Sequence, residues 1–138
     1  MILQNKTYIV LEGDLRMEDG NGEPYREFFE KAYFKLREIF NFEKVGTLIK
    51  DTRYGEDLVH GDFVIRVLLI SDGVLIASKM KQVAEILKDF TDAYYTSHTV
   101  TNQTSFYRIS DEQIEGPFID CEPCVQTIET LLKIYHEN

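Results

Sequence analysis

Residues 63–70 constrain the fold more than any other stretch, because they have the sequence Phe-Val-Ile-Arg-Val-Leu-Leu-Ile. Seven of these eight residues are apolar and most are β-branched or aromatic, which favours a strand covered on both faces. The run is too short for a helix that crosses a membrane. Side chains alternate along a strand, so the one charge, Arg66, shares a face with Val64 and Leu68. The sequence therefore predicts an inner strand whose arginine pairs with an acid or reaches an edge.

Three stretches have apolar residues at the three-and-four spacing of a helix with one buried face. The first follows Pro24, which the first turn of a helix tolerates, and the third follows Asp120, which suits an N-cap. The predicted buried faces are Tyr25, Phe28, Phe29, Ala32, Leu36, Ile39 and Phe40 in the first helix, Met80, Val83, Ala84, Leu87, Phe90 and Tyr94 in the second, and Val125, Ile128, Leu131 or Leu132, and Tyr135 in the third.

Shorter apolar or threonine-rich stretches predict further strands. Residues 7–11 form the first strand, and residues 45–51 are expected to pair with residues 63–70 in a hairpin. Residues 98–109 are predicted as one strand with a turn near Asn102. The polar content of this last strand indicates an edge position or a face open to water.

Two segments have less decisive patterns. Asp72-Gly73 is a hairpin signal, so residues 74–77 are predicted as a brief extra strand with Ser78 as the N-cap of the following helix. The same residues also fit the first turn of that helix. Residues 114–119 are predicted as a loop because Gly116-Pro117 interrupts them.

The resulting fold class is α+β, with a mostly antiparallel sheet and two long helices on one face. Apart from the brief strand, the order is the ferredoxin-like βαββαβ pattern plus a C-terminal helix. A chain of 138 residues has the size of one domain, spanning residues 1–138. The other face of the sheet needs the third helix or a second copy of the chain to cover it. We expect a homo-oligomer, because an apolar sheet face left in water would be a large exposed patch.

The net charge of −9 is concentrated at the two chain ends. Residues 111–138 hold seven acidic side chains and one lysine, and residues 1–30 hold seven acids and three bases. This charge disfavours binding to nucleic acid and to anionic membranes, which need clustered Lys and Arg, and it is compatible with a basic protein partner. Without an apolar leader or a membrane-length apolar run, the chain is expected to be cytoplasmic.

Cys121 and Cys124 have the spacing that thiol redox motifs share with half of a zinc site. Their place just after an N-cap agrees with redox chemistry, but Asp120 and Glu122 put negative charge beside the thiols. The chain has no second cysteine pair, and its three histidines are scattered. Structural or incidental cysteines are therefore favoured, and no metal or cofactor is predicted.

Two small constellations are candidate ligand sites. His60 and Asp62 lie two residues apart, so on a strand both would point the same way. Arg66 and Arg108 lie within predicted strands, and one sheet face bearing both would bind an anionic ligand. The structural alternative is that one arginine pairs with Asp51 or Glu12 across the sheet.

No catalytic motif is found in the sequence, so the leading expectation is a non-enzymatic acidic protein-interaction module that self-associates, of the inhibitor, immunity or phage and mobile-element accessory type. Its partner surface is expected near the C-terminal acids Asp111, Glu112, Glu115, Asp120 and Glu122. The first alternative is a small anionic-ligand-binding protein or modest enzyme with a pocket around Arg66, Arg108 and His60. The second is a ring-forming virion assembly subunit.

Overall fold

The structure is a computed structural model that describes residues 5–14, 23–51, 63–71, 73–91, 96–102, 105–119 and 121–136. Within these residues the chain forms six strands and three helices. Their bounds in chain order are β1 (Thr7–Asp14), α1 (Glu23–Arg37), β2 (Phe42–Asp51), β3 (Phe63–Ser71), α2 (Ala77–Lys88), β4 (Thr96–Thr101), β5 (Ser105–Ser110), β6 (Gln113–Ile119) and α3 (Glu122–His136).

The strands form one sheet in the order β2-β3-β1-β4-β5-β6, and all neighbouring pairs are antiparallel. Strand β3 lies between β2 and β1, so the predicted inner strand is confirmed. The predicted hairpin pairing of β2 with β3 is also confirmed. Along β3, Leu68 and Leu69 point to opposite faces and both are fully buried.

Each face of the sheet has its own hydrophobic cluster. Helices α1 and α2 pack with Ile65 and Leu69 on one face. Helix α3 packs on the other face, where Ile128 and Leu131 join Leu68. The prediction of a second copy rested on an uncovered apolar face, and α3 covers that face around Leu68. Self-association therefore stays a prediction without this support.

The helical faces follow the predicted spacing closely. The buried positions of α1 and α2 agree with the sequence pattern, because apolar side chains three and four residues apart meet the same layer. Ile39 is an exception, because it lies beyond the end of α1 and is 58% exposed. Tyr94, predicted on the buried face of the second helix, lies outside the described residues. None of the helices in the described segments has both the length and the apolar character needed to cross a membrane.

The α+β class and the antiparallel sheet are confirmed, and the described residues hold three helices. The sheet has six strands where the ferredoxin-like order has four, and α3 is as long as α1 at 15 residues, so the predicted ferredoxin-like order with two long helices is not confirmed. Residues 98–109 divide into β4 and β5 because Asn102 forms a turn, in which its Oδ1 accepts a hydrogen bond from the Ser105 backbone N–H at 2.9 Å. The predicted turn near Asn102 thus separates two strands.

The prediction of a loop at residues 114–119 is wrong, because they lie in β6. Strand β6 pairs only with β5, so it is an edge strand, where a proline removes no hydrogen bond that the sheet needs. The register also shifts between Phe106 and Arg108, opposite Gly116 and Pro117. Edge position and bulge together accommodate a dipeptide that normally ends a strand.

The predicted strand at residues 74–77 is wrong as well, since α2 begins at Ala77. The Thr7 hydroxyl explains why the preceding residues do not pair as a strand: it donates to the Gly73 carbonyl at 3.2 Å and accepts from the Leu75 N–H at 3.0 Å. The N-cap is Ile76 and not Ser78, and Ile76 offers no side-chain hydrogen bond to the helix.

Tyr135 anchors the end of α3 to β2. A Cβ atom built on Gly46 would lie 2.6 Å from the Tyr135 ring, so glycine at this bulge of β2 leaves room for the aromatic side chain. The Tyr135 hydroxyl is buried and has no hydrogen-bond partner among the described residues. Burial raises the pKa of Tyr135 to about 12, which keeps the phenol neutral.

Candidate functional site

A groove of about 370 Å³ lies between the first turns of α3 and the strands β1, β4 and β5. Its strand side carries the polar or charged side chains Glu12, Ser97, Thr99 and Arg108, together with Val10 and Phe106. Its helix side consists of Cys121, Pro123, Cys124, Thr127 and Ile128. The volume is in the range of cavities that hold small molecules.

Strand alternation explains the polar lining. In β4, Ser97 and Thr99 point toward the groove, whereas His98 and Val100 point to the opposite face and are fully buried. Thr99 lies directly opposite Arg108 of β5, which brings the arginine to the same face. The Thr-Ser-His-Thr-Val-Thr sequence of β4 therefore gives one face to the core and the other to the groove.

Arg66 is paired with Glu12, as the structural alternative predicts. The two residues lie directly opposite each other on β3 and β1, and the Nε–Oε2 distance is 2.9 Å. Both side chains are about two-thirds or more buried, and this salt bridge satisfies the charge of Arg66. Glu12 lines the groove, so the pair forms one of its margins.

Arg108 is exposed and forms no salt bridge with a residue that the structure describes, although Glu115 lies directly opposite it on the neighbouring strand β6. It lies three strand spacings from Arg66, a separation of roughly 14 Å because neighbouring strands are about 4.8 Å apart. The two arginines share a sheet face, but they flank the start of α3 and do not converge on one site. Arg66 lines a neighbouring cavity that shares Pro123 and Thr127 with the groove.

Cys121 and Cys124 are joined by a disulfide at the start of α3. The sequence left open whether these two cysteines meet. Cys121 directly precedes the helix, and its carbonyl accepts the Val125 N–H at 3.1 Å. Its Sγ accepts the Cys124 N–H at 3.2 Å. Both cysteines are half-buried and line the groove.

The remaining predicted site residues do not reach the groove or lie outside the described residues. His60, Asp62 and Asp120 are outside them. Asp111 and Glu112 form the exposed turn between β5 and β6, and Glu115 and Glu122 are exposed on β6 and α3. In the described parts of the chain, His, Cys, Asp and Glu residues form no group of three that could hold a metal ion.

His98 is a buried histidine that the sequence does not distinguish from the others. Its Nε2–H donates to the Phe90 carbonyl at 2.7 Å, and its Nδ1 accepts the Glu12 N–H at 3.3 Å. The Phe29 ring packs against it edge-on. Burial lowers the pKa of His98 to about 4, although the hydrogen bond to Phe90 acts in the opposite direction. The imidazole is therefore neutral, with a structural role behind the groove floor.

The fold and the groove define an α+β protein with a six-stranded antiparallel sheet, helices on both faces, and a cavity at the start of α3. No protein-family model, no curated protein and no solved structure matches the chain. The site must therefore be interpreted from its own chemistry.

Proposed function

We propose that the protein binds a small anionic ligand in the groove, with Arg108 as the cationic contact. The observation that carries this proposal is that only one of the two arginines is held in a salt bridge. Arg66 is paired with Glu12 at 2.9 Å, whereas Arg108 forms no salt bridge within the described residues, not even with Glu115 opposite it on β6. A guanidinium on the wall of a small cavity is suited to a carboxylate or phosphate, because its planar fork donates two parallel hydrogen bonds.

The rest of the lining supports a ligand that combines an acidic group with an apolar body. Ser97 and Thr99 place hydroxyl groups beside Arg108, and each hydroxyl can donate to an anion. Val10 and Phe106 supply apolar surface in the same groove. An aromatic carboxylate combines both features, and benzoate is the simplest probe of this class.

We also propose that β1 to β4 with α1 and α2 constitute a ferredoxin-like unit, to which the β5–β6 hairpin and α3 are added. The neighbour order β2-β3-β1-β4 supports this proposal. The groove then lies where the added α3 meets the sheet of that unit. A ligand site at the contact between a core unit and an added helix is consistent with the preference of pockets for such junctions.

Benzoate is expected to raise the Tm of the protein, and benzamide, its neutral analogue, is not. At about ten times its Kd a ligand adds about 1.4 kcal/mol to the free energy of unfolding, which corresponds to about 4 °C for a chain of this size. In Arg108→Ala, Kd for benzoate should rise about tenfold or more, because a hydrogen-bonded charge pair contributes about 1.5–3 kcal/mol.

Arg37→Ala is the matched control, since Arg37 is an exposed arginine on α1, on the other side of the sheet. This variant should bind benzoate like the wild type. An equal response to benzoate and benzamide, or equal losses in the two arginine variants, would contradict the assignment of Arg108.

A second candidate is the acidic protein-interaction module. The exposure of Asp111, Glu112 and Glu115 along the β5–β6 hairpin favours it. Deleting residues 111–138 is not a usable test, because it removes β6 and α3 from the fold. Neutralising the three acids to Asn and Gln leaves the fold intact, and weaker binding to a basic protein partner would support this candidate. A homo-oligomer, a ring-forming assembly and a cytoplasmic location stay predictions.

A further inference from the structure

We propose that Cys121 and Cys124 are a redox-active pair that exchanges disulfides with thiol compounds entering the groove, and that Cys121 is the attacking sulfur. This activity goes beyond ligand binding. It rests on the proposed function only for the preference for acidic substrates.

The position of Cys121 favours its thiolate over that of Cys124. Cys121 precedes the first residue of α3, where the free N–H groups and the helix dipole stabilise negative charge. Its Sγ already accepts the Cys124 N–H at 3.2 Å, so one of those N–H groups points at the sulfur. Cys124 lies inside the first turn, and no hydrogen bond to its sulfur is formed within the described residues.

The charges around the pair act in both directions. Glu122 follows Cys121 directly and disfavours a thiolate, but it is exposed, so solvent and salt screen its effect. Arg108 lines the same groove and favours a thiolate. Asp120 also precedes Cys121 in the sequence, and Glu12 lines the groove but is paired with Arg66. We expect the helix terminus and Arg108 to favour the Cys121 thiolate against these carboxylates.

The disulfide is placed for exchange and contributes little to holding the fold together. Both sulfurs belong to half-buried residues that line an open groove, so a thiol compound can reach them. The bridge joins residues only three apart in the chain, within one helical turn. A loop this short removes little entropy from the unfolded chain, in contrast to a bridge between distant elements.

The exchange is balanced without a cofactor. In the dithiol form, the Cys121 thiolate attacks one sulfur of a substrate disulfide, an S–S bond forms between them, and the substrate S–S bond breaks. The released thiolate takes a proton from water. Cys124 then loses its proton to water and attacks the Cys121 sulfur, which forms the Cys121–Cys124 disulfide and releases the second substrate thiolate. Two electrons pass from the protein to the substrate, and a dithiol compound restores the protein by the reverse steps.

The substrate class follows from the groove. Arg108 lies on the wall opposite the cysteines, so a disulfide that carries a carboxylate can pair with the guanidinium while its sulfur meets Cys121. Dithiobis(nitrobenzoate) is such a compound, and dithiodipyridine is a neutral disulfide of similar size. Both release a coloured thiol when a protein thiolate attacks them.

The test uses the full chain, reduced with dithiothreitol and desalted. The wild type should release both halves of the dithiobis(nitrobenzoate) probe and re-form its disulfide. Cys124→Ser should react at a comparable rate, release one half, and keep the other bound to Cys121, as measured by intact mass. Cys121→Ser should react about tenfold more slowly, because only the less stabilised thiolate remains.

Circular dichroism of the reduced wild type provides the structural control, and it should show the same fold as the oxidised protein. Equal rates for the two serine variants, faster reaction at Cys124, or unfolding on reduction would each overturn the proposal. Arg108→Ala should slow the reaction with the acidic probe more than the reaction with dithiodipyridine, because only the acidic probe loses its pairing with the guanidinium. A different outcome is that Cys121→Ser still reacts more slowly than Cys124→Ser while Arg108→Ala affects the two probes equally. That result would contradict the anion site at Arg108 and leave the redox pair supported.

Discussion

Leu68→Ala and Leu69→Ala are each expected to lower the free energy of unfolding by about 3 kcal/mol. Both side chains are fully buried in β3, but Leu68 packs under α3 and Leu69 under α1 and α2. Each truncation leaves a cavity in a different cluster, so similar losses would show that both faces of the inner strand are packed. Denaturant unfolding measures both values.

Ile119→Ala is the control for these variants, because Ile119 is 79% exposed on the edge strand β6. The free energy of unfolding of Ile119→Ala should lie within about 0.5 kcal/mol of the wild-type value, as is usual for surface substitutions. If Leu68→Ala costs no more than Ile119→Ala while Leu69→Ala is costly, then α3 does not pack on the sheet, and the groove beside it does not exist as described.

Lowering the pH from about 7 to about 4 is expected to cost about 3 kcal/mol of stability through His98 alone. The pKa of this buried imidazole is lowered from 6.5 to about 4, and each unit of pKa difference corresponds to about 1.4 kcal/mol. Within this window the unfolded chain binds a proton that the folded chain excludes. Stability therefore falls as the pH falls from about 6.5, and the contribution of His98 levels off below about pH 4.

The geometry gives this prediction its physical reason. A proton on Nδ1 would point at the Glu12 N–H, which now donates to that nitrogen at 3.3 Å. His98→Asn retains a polar side chain that does not titrate, so its stability should change less between pH 7 and pH 4 than that of the wild type. Equal pH dependence of the two proteins, measured by denaturant unfolding, would show that His98 is not buried in the neutral form.

Local patterns predict the parts of the fold that depend on periodicity. The continuous apolar run around Leu68 indicates an inner strand, and the spacing of Phe29 and Leu36 or of Met80 and Leu87 indicates a buried helix face. The predictions fail where tertiary contacts decide. Residues 114–119 form a strand despite Gly-Pro because they lie at an edge, and residues 74–77 do not pair because Thr7 binds their backbone.

The candidate site was predictable only in part. The sequence places Arg66 and Arg108 in strands and offers Asp51 or Glu12 as a partner for one of them, and in the structure Arg66 pairs with Glu12. The groove itself depends on where α3 lies on the sheet, which no local pattern encodes. The available signal was β4, whose alternating polar residues Ser97 and Thr99 mark a strand with one face outside the core.

The most direct test of the central claim is an amide NMR titration of the protein with benzoate. If the ligand occupies the groove, the largest shifts are expected at Ser97, Thr99 and Cys124, and they should be lost in Arg108→Ala. Shifts concentrated on the solvent side of α1 and α2, or no saturable shift at the start of α3, would contradict the account.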